Sequence, residues 1–111
     1  MAIQSRQETN ATVVTVAGRL DSVTGPDYRK TLQEAMTAGA SRVVVDLTGL
    51  TYISSAGVGE ILLSANQMTA KNGQLSLANV PANVLSVLKM CGIDGLLPRH
   101  ASVEEALAAG A

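Results

Sequence analysis

The chain has 111 residues, 47% hydrophobic and only 2% aromatic, with eight Lys and Arg against nine Asp and Glu. That length suits one domain, residues 1–111, whose core must be aliphatic, since Tyr28 and Tyr52 are the only aromatic residues. A net charge of −1 without runs of like charge gives no footprint for a phosphate backbone, and two tyrosines give little to stack on bases, so direct nucleic-acid binding is excluded.

"IQSRQE" and "TVVTVAG" are two β-prone stretches separated by Thr9 and Asn10, the pattern of a hairpin. "GRLDSVTGP" reads as a loop, with Thr24 as N-cap and Pro26 in the first turn of a helix. Tyr28, Leu32, Ala35 and Met36 share one face of that helix, and Gly39 closes it. "RVVVDL" (42–47) is a continuous apolar run of the kind found in a central strand.

A second helix, over 56–71, carries Val58, Ile61, Leu62, Ala65 and Met68 on its apolar face and ends at Asn72-Gly73. "QLSLANV" (74–80) follows as a strand with Leu75 and Leu77 inward and polar neighbours outward. Pro81 opens a third helix, over 82–91, striped by Val84, Leu85, Leu88 and Cys91 and stopped by Gly92. "GLLP" makes a brief last strand, His100 lies in a surface loop, and Ser102-Val-Glu-Glu105 is a capping box before a short final helix. The terminal "AAGA" is expected to fray. Strands alternating with helices after an opening hairpin predict one α/β domain: a mixed, mostly parallel sheet of four to five strands flanked by about four helices.

The inventory leaves little room for catalysis. His100 is the only histidine and Cys91 the only cysteine, so no nitrogen–sulfur metal cluster can form, and the spacing of Asp21, Asp27 and Asp46 gives no support for a magnesium site. "SSAGVG" is neither a nucleophile elbow nor a phosphate loop, and no base lies near its serines in sequence. A small flavodoxin-like or hydrolytic enzyme therefore has no base, metal set or phosphate loop to work with, and no cofactor is expected. "MAIQSRQETN" lacks the apolar stretch of a signal peptide, and no segment reaches the roughly 18 apolar residues of a membrane span. A lone cysteine fits a reducing, cytoplasmic setting.

What remains is the pair Ser54 and Ser55, ahead of Ala56-Gly57, where a strand gives way to a helix. Either serine can be an N-cap. Gly57 and Gly59 weaken the first turn by roughly 0.5–1 kcal/mol each relative to Ala, which points to close approach there. A helix N-terminus would also stabilise a phosphate, should one be attached.

"VVVDLTGLTYISSAGVGEILL", with "VAGRLD" upstream and "GQLSLANV" downstream, resembles the STAS domain, the fold of bacterial anti-sigma factor antagonists. The likeness spans essentially the whole chain, including the order of elements and the short acidic last helix. The family signature at the strand-to-helix junction is Asp-Ser-Ser/Thr-Gly-Leu-Gly or its variant Ile-Ser-Ser-Ala-Gly-Leu. The resemblance implies a non-enzymatic partner switch. The unphosphorylated protein binds an anti-sigma factor that is also a serine kinase, and so releases a sigma factor. Phosphorylation of the signature serine ends binding, and a metal-dependent serine phosphatase resets the cycle.

By position that phosphoacceptor is Ser55, with Ser54 as the alternative. The resemblance also places Leu20 and Asp21 beside Ser54, Ser55, Ala56, Gly57, Val58 and Gly59 on one partner-binding surface. Ser54 stands where the best-known members have Asp, and Ala56 replaces a second hydroxyl. STAS domains also serve as unphosphorylated docking subunits of larger transporter or stress-sensing assemblies, which is the alternative role. In that role Ser55 is only a cap.

Overall fold

In the computed structural model, which describes residues 1–109, the chain opens with a hairpin. Strands β1 (Ala2–Glu8) and β2 (Ala11–Leu20) pair antiparallel across the two-residue turn Thr9–Asn10. β2 then lies parallel to β3 (Arg42–Asp46), β3 to β5 (Gln74–Ala78), and β5 to the two-residue β6 (Arg99–His100). The sheet order is β1-β2-β3-β5-β6. A sixth strand, β4 (Leu50–Ile53), pairs in parallel with the far end of β2.

The sheet is thus mixed and mostly parallel, with six strands where four to five were expected. The additional strand is β4. The turn before it is closed by a bond from the Leu50 N–H to the Leu47 carbonyl (3.0 Å), and within β4 only Leu50 and Ile53 are buried. Four residues with the two middle ones exposed have no alternating pattern to read.

Four helices cover this sheet: α1 (Gly25–Thr37), α2 (Ser55–Ala70), α3 (Ala82–Met90) and α4 (Val103–Ala109). The larger core joins Val14, Val16, Val43 and Val45 of the sheet to Tyr28 and Leu32 of α1, Ile61 and Met68 of α2, and Val84 and Leu88 of α3. A smaller core on the opposite face packs Val103 and Ala106 of α4 against Ala11, Val13, Val44 and Ala78. Because α4 covers that face, β5 is buried on both sides, and Ser76 is buried rather than outward-facing as its alternation suggested.

Three further expectations are corrected at the C-terminal end. The last strand is Arg99–His100, not "GLLP", since pairing with β5 begins at the Pro98 carbonyl, which accepts from the Leu77 N–H (2.9 Å). His100 is accordingly half-buried in β6 rather than in a loop. Cys91 is exposed, because α3 ends at Met90 and the stripe ends at Leu88. Ser102 caps α4 as expected, accepting from the Glu105 N–H (3.1 Å). Ala108 and Ala109 belong to α4. The remainder of the expected frayed tail, residues 110 and 111, lies outside the described residues.

Candidate functional site

The carboxyl ends of parallel strands are where loops converge in such sheets, and here the break in β2 shapes that end. Gly18 has φ +90°, a value that L side chains rarely adopt, and the pairing register shifts between Gly18 and Arg19. The bend lets the end of β2 run beside β4, so that Leu20 pairs with Ile53. One residue on, the Ser54 N–H donates to the Leu20 carbonyl (3.0 Å). The loop containing Asp21 and the start of α2 are therefore brought together at one end of the sheet.

The two serines divide their work. Ser54 is the N-cap, in extended conformation, and its hydroxyl accepts from the Gly57 N–H (3.2 Å) while its carbonyl accepts from the Val58 N–H (2.9 Å). Ser and Asp cap helices about equally well, so a serine at 54 keeps the function an aspartate would have there. Ser55 is the first helical residue; it is exposed, and its hydroxyl makes no hydrogen bond among the described residues. The first four N–H groups of a helix have no partner within it. That of Ser54 goes to the Leu20 carbonyl and that of Gly57 to the Ser54 hydroxyl, which leaves those of Ser55 and Ala56 without a partner among the described residues, at the positive end of the helix dipole.

Gly57 answers the expectation of close approach. A Cβ there would stand 2.4 Å from the Leu20 oxygen and 2.9 Å from Ile53 Cγ1, so only glycine lets α2 lie this close to the β2 loop. Gly59 does not share that role: nothing lies within 4 Å of its would-be Cβ. Among the residues assigned to the partner surface, Leu20, Gly57 and Val58 are buried and shape the surface from beneath. Ser55, Ala56 and Gly59 are exposed, and Asp21 and Ser54 are half-buried.

Asp21 organises the loop it sits in. Its Oδ1 accepts from the N–H groups of Thr24 (3.1 Å) and Val23 (3.0 Å), and Arg19 Nε lies 3.7 Å from Oδ2. The bond from the Thr24 N–H, with lesser help from Val23 and Arg19, holds the Asp21 carboxyl below the usual carboxylate range. Thr24 occupies the N-cap position of α1 but makes no side-chain cap bond; its hydroxyl instead donates to the Arg19 carbonyl (2.8 Å). The loop closes on itself through these bonds and leaves Val23 83% exposed.

Several partners could not be seen in the linear sequence because they meet only across elements. The Arg19 guanidinium lies over the Tyr52 ring, 4.1 Å from its centroid, on the exposed side of the β2–β4 pair. Arg29 of α1 forms a two-pronged ion pair with Glu60 of α2. Tyr28 donates to the Ser64 hydroxyl (2.8 Å), which in turn donates to the Ile61 carbonyl, and burial pushes the Tyr28 phenol upward. The one signal in the sequence was a pair of hydroxyl residues at positions that helical spacing sends inward. At the end of β3, burial raises the Asp46 carboxyl, but bonds from Thr48 Oγ1 (2.6 Å), Asn79 Nδ2 (3.1 Å) and the Thr48 N–H outweigh it, and the group stays low.

Known proteins place the chain. Residues 3–98 match the family model described as Mlab, STAS domain. The chain is 33% identical over 97 residues to the Bordetella bronchiseptica protein named "Putative anti-sigma factor antagonist BtrV", covering 87% of this chain and 84% of that one. The anti-sigma factor antagonist SpoIIAA in its unphosphorylated form superposes with a TM-score of 0.81 at 26% identity, over 96% of this chain and 93% of that one. The phosphorylated form of SpoIIAA, from Bacillus, superposes with a TM-score of 0.76 at 24% identity, over 97% and 98% of the two chains. No helix among the described residues is long and apolar enough to cross a membrane. The chain belongs to the STAS domain family, among relatives named as anti-sigma factor antagonists.

Proposed function

We propose that this protein is a partner-switching antagonist whose state is set at Ser55. In its unphosphorylated form it docks on an anti-sigma factor that is also a serine kinase, and so frees a sigma factor. Phosphorylation of Ser55 ends the complex, and a metal-dependent phosphatase restores it. The observation that carries this reading is the division between the serines: Ser54 is spent on the cap, while Ser55 is exposed with a free hydroxyl at a helix N-terminus.

The physical chemistry of the switch follows. A phosphate adds about −1.5 to −2 charges at pH 7. On Ser55 it lies beside the free N–H groups of the first turn, so the isolated domain tolerates it. In a complex the same charge must be stripped of water against a partner. Docking is therefore lost while the fold is kept. Asp21 contributes by holding the loop that presents Val23.

The test is incubation with the kinase encoded nearest to this protein's gene, with ATP, followed by phosphosite mapping. Phosphate on Ser55, with loss of the complex, is the expected result. A stable complex with both serines unmodified would instead make the protein a constitutive docking subunit.

A further inference from the structure

The path β1-β2-β3-β5-β6 ends in two unlike edges. At one, β6 is two residues long and offers little to pair with. At the other, β1 runs for seven residues with its register against β2 unbroken. Its one strand neighbour is β2, and every β1 residue is exposed except the half-buried Ile3. Natural edges are guarded by lysine, proline or a bulge. "AIQSRQE" has no lysine, proline or glycine, and its two charges are of opposite sign.

The phase of the hairpin decides which backbone groups this edge presents. Glu8 and Ala11 pair across a two-residue turn. At that separation a pair can only be of the kind that exchanges both N–H···O bonds. Counting back in twos, the N–H and carbonyl groups of Arg6, Gln4 and Ala2 also point at β2. Those of Gln7, Ser5 and Ile3 point away from the sheet. Side chains alternate with the same period, so Arg6 and Glu8 share one face with Val13 and Ala11, the face on which α4 packs. There Arg6 Nε lies 3.0 Å from Glu8 Oε1.

We propose that this edge takes a second copy of the chain, the two β1 strands running antiparallel about a two-fold axis at Gln7. The two Gln7 residues form the central hydrogen-bonded pair. Arg6 then stands opposite the partner's Glu8, and Glu8 opposite the partner's Arg6, in the non-hydrogen-bonded pairs whose side chains come closest. Charge selects this register. An axis at Arg6 or at Glu8 would set like charges face to face, and one at Ser5 would set Arg6 against Gln4 and Glu8 against Ala2. The contact lies at the hairpin end of the sheet: Gln7 pairs with Thr12, and Thr12 with Val43 near the start of β3. Ser55 lies at the other end, beyond the pairing of Leu20 with Ile53. Both Ser55 surfaces of the dimer therefore stay open, and the inference is independent of the proposed switch.

The test is sedimentation of the full chain over a concentration series from micromolar to millimolar. A monomer–dimer equilibrium that follows mass action is expected. Arg6→Glu and Glu8→Arg each place like charges opposite one another and should weaken association by about tenfold or more, with melting temperatures kept. Mixed in equal amounts, the two variants set two acids against two arginines, and the dimer should return. Raising the concentration should also slow hydrogen exchange at the outward-facing Gln7 amide while leaving Arg6, already bonded to β2, unchanged. A wild type that stays monomeric throughout would overturn the proposal. So would single variants that associate as well as wild type, or a mixture no stronger than either variant alone, since another surface would then hold the copies together.

Discussion

The Ser54 N–H donates to the Leu20 carbonyl at 3.0 Å, and Gly57, one turn into α2, closes on that same carbonyl. A methyl group at 57 would have to displace backbone, not a mobile side chain. Gly57→Ala is therefore expected to cost about 1–3 kcal/mol, as overpacking does. Gly59→Ala meets open space in a helix and should stabilise by about 0.5–1 kcal/mol. Urea unfolding of the two variants checks this, and effects of the same sign would refute it.

The division between the serines makes a second contrast. Ser54→Ala removes the cap and should cost about 0.5–2 kcal/mol. Ser54→Asp restores it. Ser55→Ala removes a hydroxyl that bonds to nothing described, and its melting temperature should match wild type. If Ser55→Ala proves the more damaging of the two alanines, the cap has been assigned to the wrong residue.

Acid should unfold the protein partly through two aspartates. Asp21 and Asp46 both lie below 3.8, the value an aspartate has when it is not held by the fold. The stability they contribute is fully present above that unfolded value and is lost as the pH falls through their folded values. Urea midpoints followed from neutral pH to below about pH 3 should drop less steeply in Asp21→Asn and Asp46→Asn than in wild type. Identical slopes in all three proteins would remove both groups from the account.

Much of this arrangement was legible in the sequence. Apolar stripes placed α1, α2 and α3 within a residue or two, because burial on one helical face leaves a period that Tyr28–Leu32–Met36 and Val58–Ile61–Ala65 carry openly. The Thr9–Asn10 hairpin was equally plain. β4 was hidden, since its two middle residues face solvent and its pairing partner lies some thirty residues earlier in β2. Both serines at 54 and 55 fit a cap, and which one caps depends on the backbone angle at 54, which composition does not encode. Ser76 reads as an outward-facing residue because the helix that buries it, α4, is short and comes last.

The Tyr28–Ser64 pair joins α1 to α2 inside the larger core. Tyr28→Phe keeps the ring but leaves the Ser64 hydroxyl without its donor, at a cost of about 1–2 kcal/mol. Tyr28→Phe with Ser64→Ala removes both partners, and the pair should destabilise by less than the sum of the single changes. A double-mutant cycle in urea reads the coupling, and strict additivity would mean that the bond contributes nothing.

Ser55→Asp separates a switch from a surface that merely docks. Aspartate at the first helical position faces the positive end of the helix dipole, a placement worth about 0.3–1 kcal/mol in the variant's favour. Its melting temperature should therefore equal or exceed that of wild type. The same carboxylate must lose water when the kinase covers Ser55, and the cation of the neighbouring loop, Arg19, is already shared between Tyr52 and Asp21. Affinity should fall by at least tenfold, while Ser55→Ala binds like wild type and takes up no phosphate. Titration calorimetry of the three proteins against the cognate kinase, run beside melting curves, measures both effects. A stable Ser55→Asp that cannot bind fits a charge-operated switch, whereas equal affinity for all three would leave Ser55 as a bystander on a permanent docking face.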